Sequence, residues 1–377
     1  MTDAIRPIGM PKWGLAMTEG KVNAWLVAEG AQVTQGDEIL EIETSKITNV
    51  FESPVTGTLR RRVAGEGETL PVGALLGVVA DAAVSDAEID AFVAEHRQHQ
   101  AEAVVDAGPE PYMLPASGWN ARILRMGPDV AHDAAPPIMM IHGFGGDLLN
   151  WQLNQPDLAT DRAVYALDLP GHGGASKDVP GDGGVAALAE AVRGAMAALQ
   201  IGRAHLVGHS LGGAIALRML LDEPSRILSA TLVCPAGLGR EVNADYIDGF
   251  VRADKRKEMK ATVEALFADP SLVSRDMVEN LLKYKRLDGV AAALRKIAAA
   301  NFADGGQVTV LADSVAAPDV PVQVIWGERD RIIPAAHAAA VPTGRRHVLP
   351  DAGHMVHMEQ PAAVNRLIAE FVAFAGG

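Results

Sequence analysis

The chain has 377 residues, 49% of them hydrophobic and 21% charged, with a formal net charge of −14 and a pI near 5.2. That length calls for one large or two unequal domains, and the acidity argues against nucleic acid or an anionic membrane surface as partner. One cysteine excludes an internal disulfide framework and a cysteine-rich metal site, and the absence of a signal-peptide pattern or a bilayer-length apolar run makes a soluble, cytoplasmic protein the expectation.

The first eighty residues repeat themselves. "GKVNAWLVAEGAQVTQGDEIL" at 20–40 falls on "GTLRRRVAGEGETLPVGALLG" at 57–77 after a shift of 37 positions. Gly20 meets Gly57, Gly30 meets Gly67 and Gly36 meets Gly73. The apolar positions follow: Val22 with Leu59, Leu26 with Val63, Val33 with Leu70, Ile39 with Leu76. Two copies of a strand–turn–strand unit predict two short sheets related by a pseudo-twofold axis, each burying its apolar face on the other. Between the copies, "EIETSKITNVFESP" at 41–54 reads as a hairpin with Lys46 at its tip.

With "MPKWGLAMTEG", "VAEGAQVTQGDEILEIETSKITNVFESPVTGTL" and "GETLPVG", residues 1–80 resemble a lipoyl domain, a small all-β flattened sandwich. The resemblance implies that Lys46 carries amide-linked lipoate. A biotin carrier would show Met on both sides of the lysine, where this chain has Ser45 and Ile47. Without the resemblance, Lys46 is an exposed lysine on a turn.

Residues 81–114 form a bridge. Ser85 and Glu88 stand at capping-box spacing, and Ile89, Phe92, Val93 and His96 fall on one helical face. This predicts a short amphipathic helix, docked on a domain or on a partner, before the proline- and glycine-containing link "DAGPEPYMLPASG".

From about 115 to 377, apolar runs alternate with helical stretches, as a mostly parallel sheet covered by helices requires. "PPIMMIHGFGG", "AVYALDLPGHG", "AHLVGHSLGG", "ATLVCPAG" and "VPVQVIWGERD" each read as a buried strand running into a loop. In "LVGHSLGGAIALRML", Ser210 occupies a G-x-S-x-G turn between strand and helix that presents its Oγ outward. Upstream, "IHGFGG" lets the backbone turn over the serine and offer the Phe144 N–H, with that of Leu211, as an oxyanion hole. Downstream, "WGERDRIIP" sets Asp330 just after a strand, and "LPDAGHMVHMEQP" sets His354 on a loop.

The order Ser, Asp, His is that of an α/β-hydrolase triad, and residues 115–377 resemble that fold. Asp168 and Asp351 read as loop-fixing residues, His142 as support for the glycine loop, His357 as a rival base, and Cys234 as a small core residue. No spacing points to a metal. The charged helical stretch at about 236–312 reads by position as a lid.

A lipoyl domain joined to an α/β-hydrolase domain resembles the dihydrolipoamide acetyltransferase components of acetoin dehydrogenase complexes. That implies acetyl transfer from the lipoyl thioester to coenzyme A. It also implies a thiamine-diphosphate-dependent acetoin dehydrogenase component and a dihydrolipoamide dehydrogenase as partners, within a homo-oligomeric core. The H-x-x-x-D-G motif of the wider acyltransferase family is missing; "ADYIDG" at 244–249 has the aspartate and glycine without the histidine. Two other classes stay open: a serine esterase or thioesterase with a tethered carrier, and a scaffold.

Overall fold

Glycine placement organises the N-terminal sheets. Gly30 and its repeat mate Gly67 have φ of 88° and 85°, and Gly36 and Gly73 have 96° and 83°, left-handed values that only glycine adopts without strain. The structure is a computed structural model that describes residues 5–11, 19–43, 48–105, 109–128, 135–315, 320–342 and 345–376. It divides into two compact units, 1–108 and 109–377.

Eight strands build the first unit: β1 Ile5–Gly9, β2 Glu19–Trp25, β3 Gln32–Val33, β4 Glu38–Glu43, β5 Thr48–Glu52, β6 Gly57–Arg62, β7 Thr69–Pro71 and β8 Leu75–Ala80. They form two four-stranded sheets, ordered β1-β8-β6-β3 and β5-β4-β2-β7. The 37-residue shift carries β2, β3 and β4 onto β6, β7 and β8, and with β1 exchanged for β5 it turns one order into the other. Val22, Leu59, Ile39 and Leu76 meet in one buried core.

Leu26 departs from the pattern, being 44% exposed. A register shift between Val22 and Ala24 in β2 reverses the alternation, so Trp25 turns inward instead. Its indole donates to the Ala64 carbonyl at 3.0 Å. A Cβ on Gly77 would stand 2.9 Å from that ring.

The β4–β5 ladder is described up to the pair Glu43 and Thr48. Lys46 and its neighbours Thr44, Ser45 and Ile47 lie outside the described residues.

Helix α1, Asp86–Val105, belongs to the first unit and is longer than its capped start suggested. Ser85 and Glu88 form the reciprocal cap. Ile89, Phe92 and Val93 pack on Leu75, Val78 and Ala80, and Arg60 and Arg61 pair with Asp86 and Asp90.

The second unit holds an eight-stranded sheet. Its strands are β9 Tyr112–Ala116, β10 Trp119–Met126, β11 Ala135–Ile141, β12 Arg162–Asp168, β13 Ala204–His209, β14 Ile227–Val233, then β17 Val322–Gly327 and β18 Arg346–Leu349, after a small hairpin of β15 Phe302–Ala303 and β16 Gly306–Gln307. The order is β18-β17-β14-β13-β11-β12-β10-β9. The six strands from β18 to β12 run parallel, and β10 and β9 add antiparallel pairs at one edge.

Helices α2 Gln155–Leu158, α3 Val185–Ala198 and α4 Leu211–Asp222 lie between these strands in sequence, and α9 Val356–Glu359 and α10 Pro361–Gly376 close the chain. Between β14 and β17 come α5 Ala244–Arg252, α6 Arg256–Glu264, α7 Arg275–Lys285 and α8 Val290–Asn301. Strand order reverses at β11, which pairs with β12 on one side and β13 on the other. The carboxyl ends of β11 and β13 flank this switch point, the position at which such sheets bind ligands.

Candidate active site

Ser210 sits at that switch point, between β13 and α4, with φ of 51°. A non-glycine residue held there stores strain of order 1–3 kcal/mol, so its surroundings must enforce it. The Ser210 N–H donates to the Val233 carbonyl at 3.0 Å, and its carbonyl accepts from Gly213 and Ala236 N–H, both at 2.9 Å. Glycines make the turn sterically possible. A Cβ on Gly208 would lie 2.3 Å from the Gly212 carbonyl oxygen, and one on Gly212 would lie 2.2 Å from that of Ile141.

The loop after β11 folds across the serine. A Cβ on Gly143 would come within 2.9 Å of both Ser210 Cβ and His209 Nδ1. Two buried histidines hold this loop. His142 Nδ1 donates to the Gly143 carbonyl at 2.7 Å while its Nε2 accepts from Leu169 N–H. His172 Nδ1 donates to the Pro170 carbonyl and its Nε2 accepts from Gly145 N–H at 3.1 Å.

Burial lowers the His142 pKa to about 4, and burial with the neighbouring His142 lowers that of His172 to about 3, so both are neutral at physiological pH and can keep these acceptor nitrogens. Among the described residues, neither the Phe144 nor the Leu211 N–H has a hydrogen-bond acceptor.

His354 Nδ1 lies 2.8 Å from Asp330 Oδ2, with both side chains at or below 2% exposure. Asp330 is saturated with donors. Its Oδ1 accepts from Ile332 and Ile333 N–H, and its Oδ2 also accepts from the Trp326 indole. Burial pushes its pKa up, but His354 and these hydrogen bonds outweigh that and hold the carboxyl below its ordinary value. As an anion it accepts a hydrogen bond from the proton carried on Nδ1, which leaves Nε2 as the ring nitrogen without a proton.

Other residues take supporting places. Asp168 accepts from Leu148 and Gly174 N–H and meets Arg122, tying two loops together. Asp351 pairs with Arg329. His357 is fully buried against Trp151 and His209, and neither of its ring nitrogens has a partner among the described residues. Burial lowers its pKa to about 3, so it packs as a neutral ring, and His354 is the histidine that faces Asp330.

The Cys234 sulfur shares a space of 4.8 Å with ligand atoms of Asp330 and His354. Burial and the Asp330 charge raise its pKa well above the ordinary thiol value, so it is protonated and inert. His172, Trp326 and Glu359 are supporting residues that sequence reading passed over, because their contacts span separate loops.

Residues 136–361 match the family model for the alpha/beta hydrolase fold, and residues 6–79 match the model described as biotin-requiring enzyme. The chain is 45% identical over 371 residues to the dihydrolipoyllysine-residue acetyltransferase component of the acetoin cleaving system of Pseudomonas putida, covering 98% of each chain. The corresponding component from Cupriavidus necator is 47% identical over 370 residues, 98% of this chain and 97% of that one.

The chain belongs to this acetyltransferase family. Among solved structures, the meta-cleavage product hydrolase of Pseudomonas fluorescens IP01 matches with a TM-score of 0.63 at 21% identity, over 70% of this chain and 98% of that one. That likeness concerns the fold of the second unit. The family pairs a lipoyl-type unit with an α/β-hydrolase unit, as both family models locate them here. Among the described residues no helix is long and apolar enough to cross a membrane.

Proposed function

We propose that the protein transfers an acetyl group from S-acetyldihydrolipoyl-lysine to coenzyme A through Ser210, His354 and Asp330. Residues 1–80 act as the carrier and residues 236–312 as a lid. The observation that supports the reading is the buried His354–Asp330 pair, whose loop meets the strained serine's own turn where His209 Nε2 lies 3.0 Å from the His354 carbonyl.

Lys46, between the paired ends of β4 and β5, is the attachment point for lipoate, which supplies the dithiol that bears the acyl group. Ser210 Oγ attacks the thioester carbonyl as His354 Nε2 takes its proton. The Phe144 and Leu211 N–H groups stabilise the tetrahedral oxyanion. The carbon–sulfur bond breaks, and the departing thiol takes the proton back from His354. A coenzyme A thiol then attacks the acetyl-serine, with His354 as base, and the Ser210 hydroxyl is restored. The relatives are named as components of an acetoin cleaving system, which supports membership in a multi-component system; in our reading a thiamine-diphosphate-dependent acetoin dehydrogenase component and a dihydrolipoamide dehydrogenase are the partners of a homo-oligomeric core.

Product partition tests this. With S-acetyl-dihydrolipoamide and coenzyme A, the expected product is acetyl-coenzyme A, with the rate reduced by about 10⁴ or more in Ser210→Ala. A loss of only about 10²–10³ would match removal of one hydrogen-bond donor and direct thiol attack instead. Free acetate in an amount indifferent to coenzyme A would make the site a thioesterase.

A further inference from the structure

The loop that carries His354 is built into the lid. Glu359 Oε2 accepts from Gly353 N–H at 2.7 Å, and its Oε1 accepts from Ala268 N–H at 2.8 Å. One carboxylate thus joins the residue before the base to the segment that follows α6. Met355 N–H, on the other side of His354, donates to the Leu266 carbonyl at 3.2 Å. The two backbones are in close contact, since a Cβ on Gly353 would lie 2.6 Å from Ala268 N and 2.8 Å from the Leu266 carbonyl oxygen. From the acid's side, Arg331, next to Asp330, donates to the carbonyls of Glu264 and Phe267.

We propose that Glu359 and Arg331 clamp residues 264–268 of the lid against the Asp330–His354 pair, making Glu359 a positioning residue for the base. The inference rests on the reading of His354 as base. This part of the lid is then a mount and not a moving cover. Displacing it shifts His354, and a small displacement of a catalytic group lowers turnover without weakening substrate binding.

Glu359→Gln retains the side chain's size but offers one acceptor oxygen to two N–H donors, so one side of the clamp opens. In steady-state transfer from S-acetyl-dihydrolipoamide to coenzyme A, kcat should fall about 10- to 100-fold with KM for both substrates within about twofold. Arg331→Met should act in the same direction. The double variant should lose less than the product of the single losses, because both changes release one segment.

An unchanged kcat, or a rise in KM with kcat intact, overturns the clamp. If Glu359→Gln does not fold, either of those outcomes in Arg331→Met alone overturns it equally. Ser210→Ala in parallel separates the two readings: activity surviving there removes the serine nucleophile, while Glu359→Gln still judges the clamp, since His354 is the base for direct thiol attack as well.

Discussion

Replacing Asp330 with asparagine exchanges one oxygen for an amide group and barely alters size. Four donors converge on this side chain: Ile332 and Ile333 N–H at Oδ1, the Trp326 indole and His354 at Oδ2. An asparagine has one oxygen to serve them. With the amide NH₂ toward Oδ1, two backbone N–H groups lose their acceptor, at about 1–3 kcal/mol each if nothing replaces it. With the oxygen at Oδ1, the NH₂ faces Trp326 and His354.

Trp326 tolerates that arrangement, because its indole also donates to the Ile333 carbonyl at 3.2 Å. His354 tolerates it only by moving its proton to Nε2 so that Nδ1 can accept. The second arrangement therefore wins, and it removes the base. Asp330→Asn should lower kcat about 10⁴-fold, or about 5 kcal/mol of transition-state stabilisation, while costing little folding stability. Single-turnover acetyl transfer paired with urea unfolding measures both quantities. A kcat within tenfold of wild type would mean that Asp330 does not set the His354 tautomer.

Acid should unfold the protein early. His142, His172, His209 and His357 are buried with lowered pKa values, to about 4, about 3, well below normal and about 3. The unfolded chain binds these protons first, so each removes about 1.4 kcal/mol per pH unit as pH falls from ~6.5 toward its folded value. Asp147, whose carboxyl burial and Asp168 raise to about 6, opposes this by stabilising the fold below that pH. Urea midpoints at pH 7.5 and 5.5 should differ sharply, with His357→Leu flattening the slope by about one proton; a pH-independent midpoint would contradict the neutral assignments. For the carrier, intact mass from a lipoate-competent host should show the lipoyl addition on wild type and not on Lys46→Arg, and an unmodified wild-type mass would remove the carrier role.

Local chemistry was readable wherever it depends on near neighbours in the chain. The 37-residue repeat predicted both small sheets, since turn glycines and strand alternation are short-range demands. Ser210 was legible because Gly208 and Gly212 avoid collisions that the strand–turn–helix geometry creates. The Ser85–Glu88 cap was legible for the same reason. Leu26 was misplaced inward, because a one-residue register shift in β2 leaves no mark in apolar spacing.

His172 and Glu359 were passed over. Their partners, Gly145 in one case and Gly353 with Ala268 in the other, are brought to them by separate loops. Sequence alone determined the architecture, the turn that holds Ser210 and the candidates Asp330 and His354, because motif spacing and residue type express constraints within one strand–loop unit. Only the tertiary structure decided which histidine faces Asp330, which rings stay neutral through burial, and that Glu359 and Arg331 bond to residues 264–268, because those outcomes depend on which loops meet at the carboxyl ends of β11, β13 and β17.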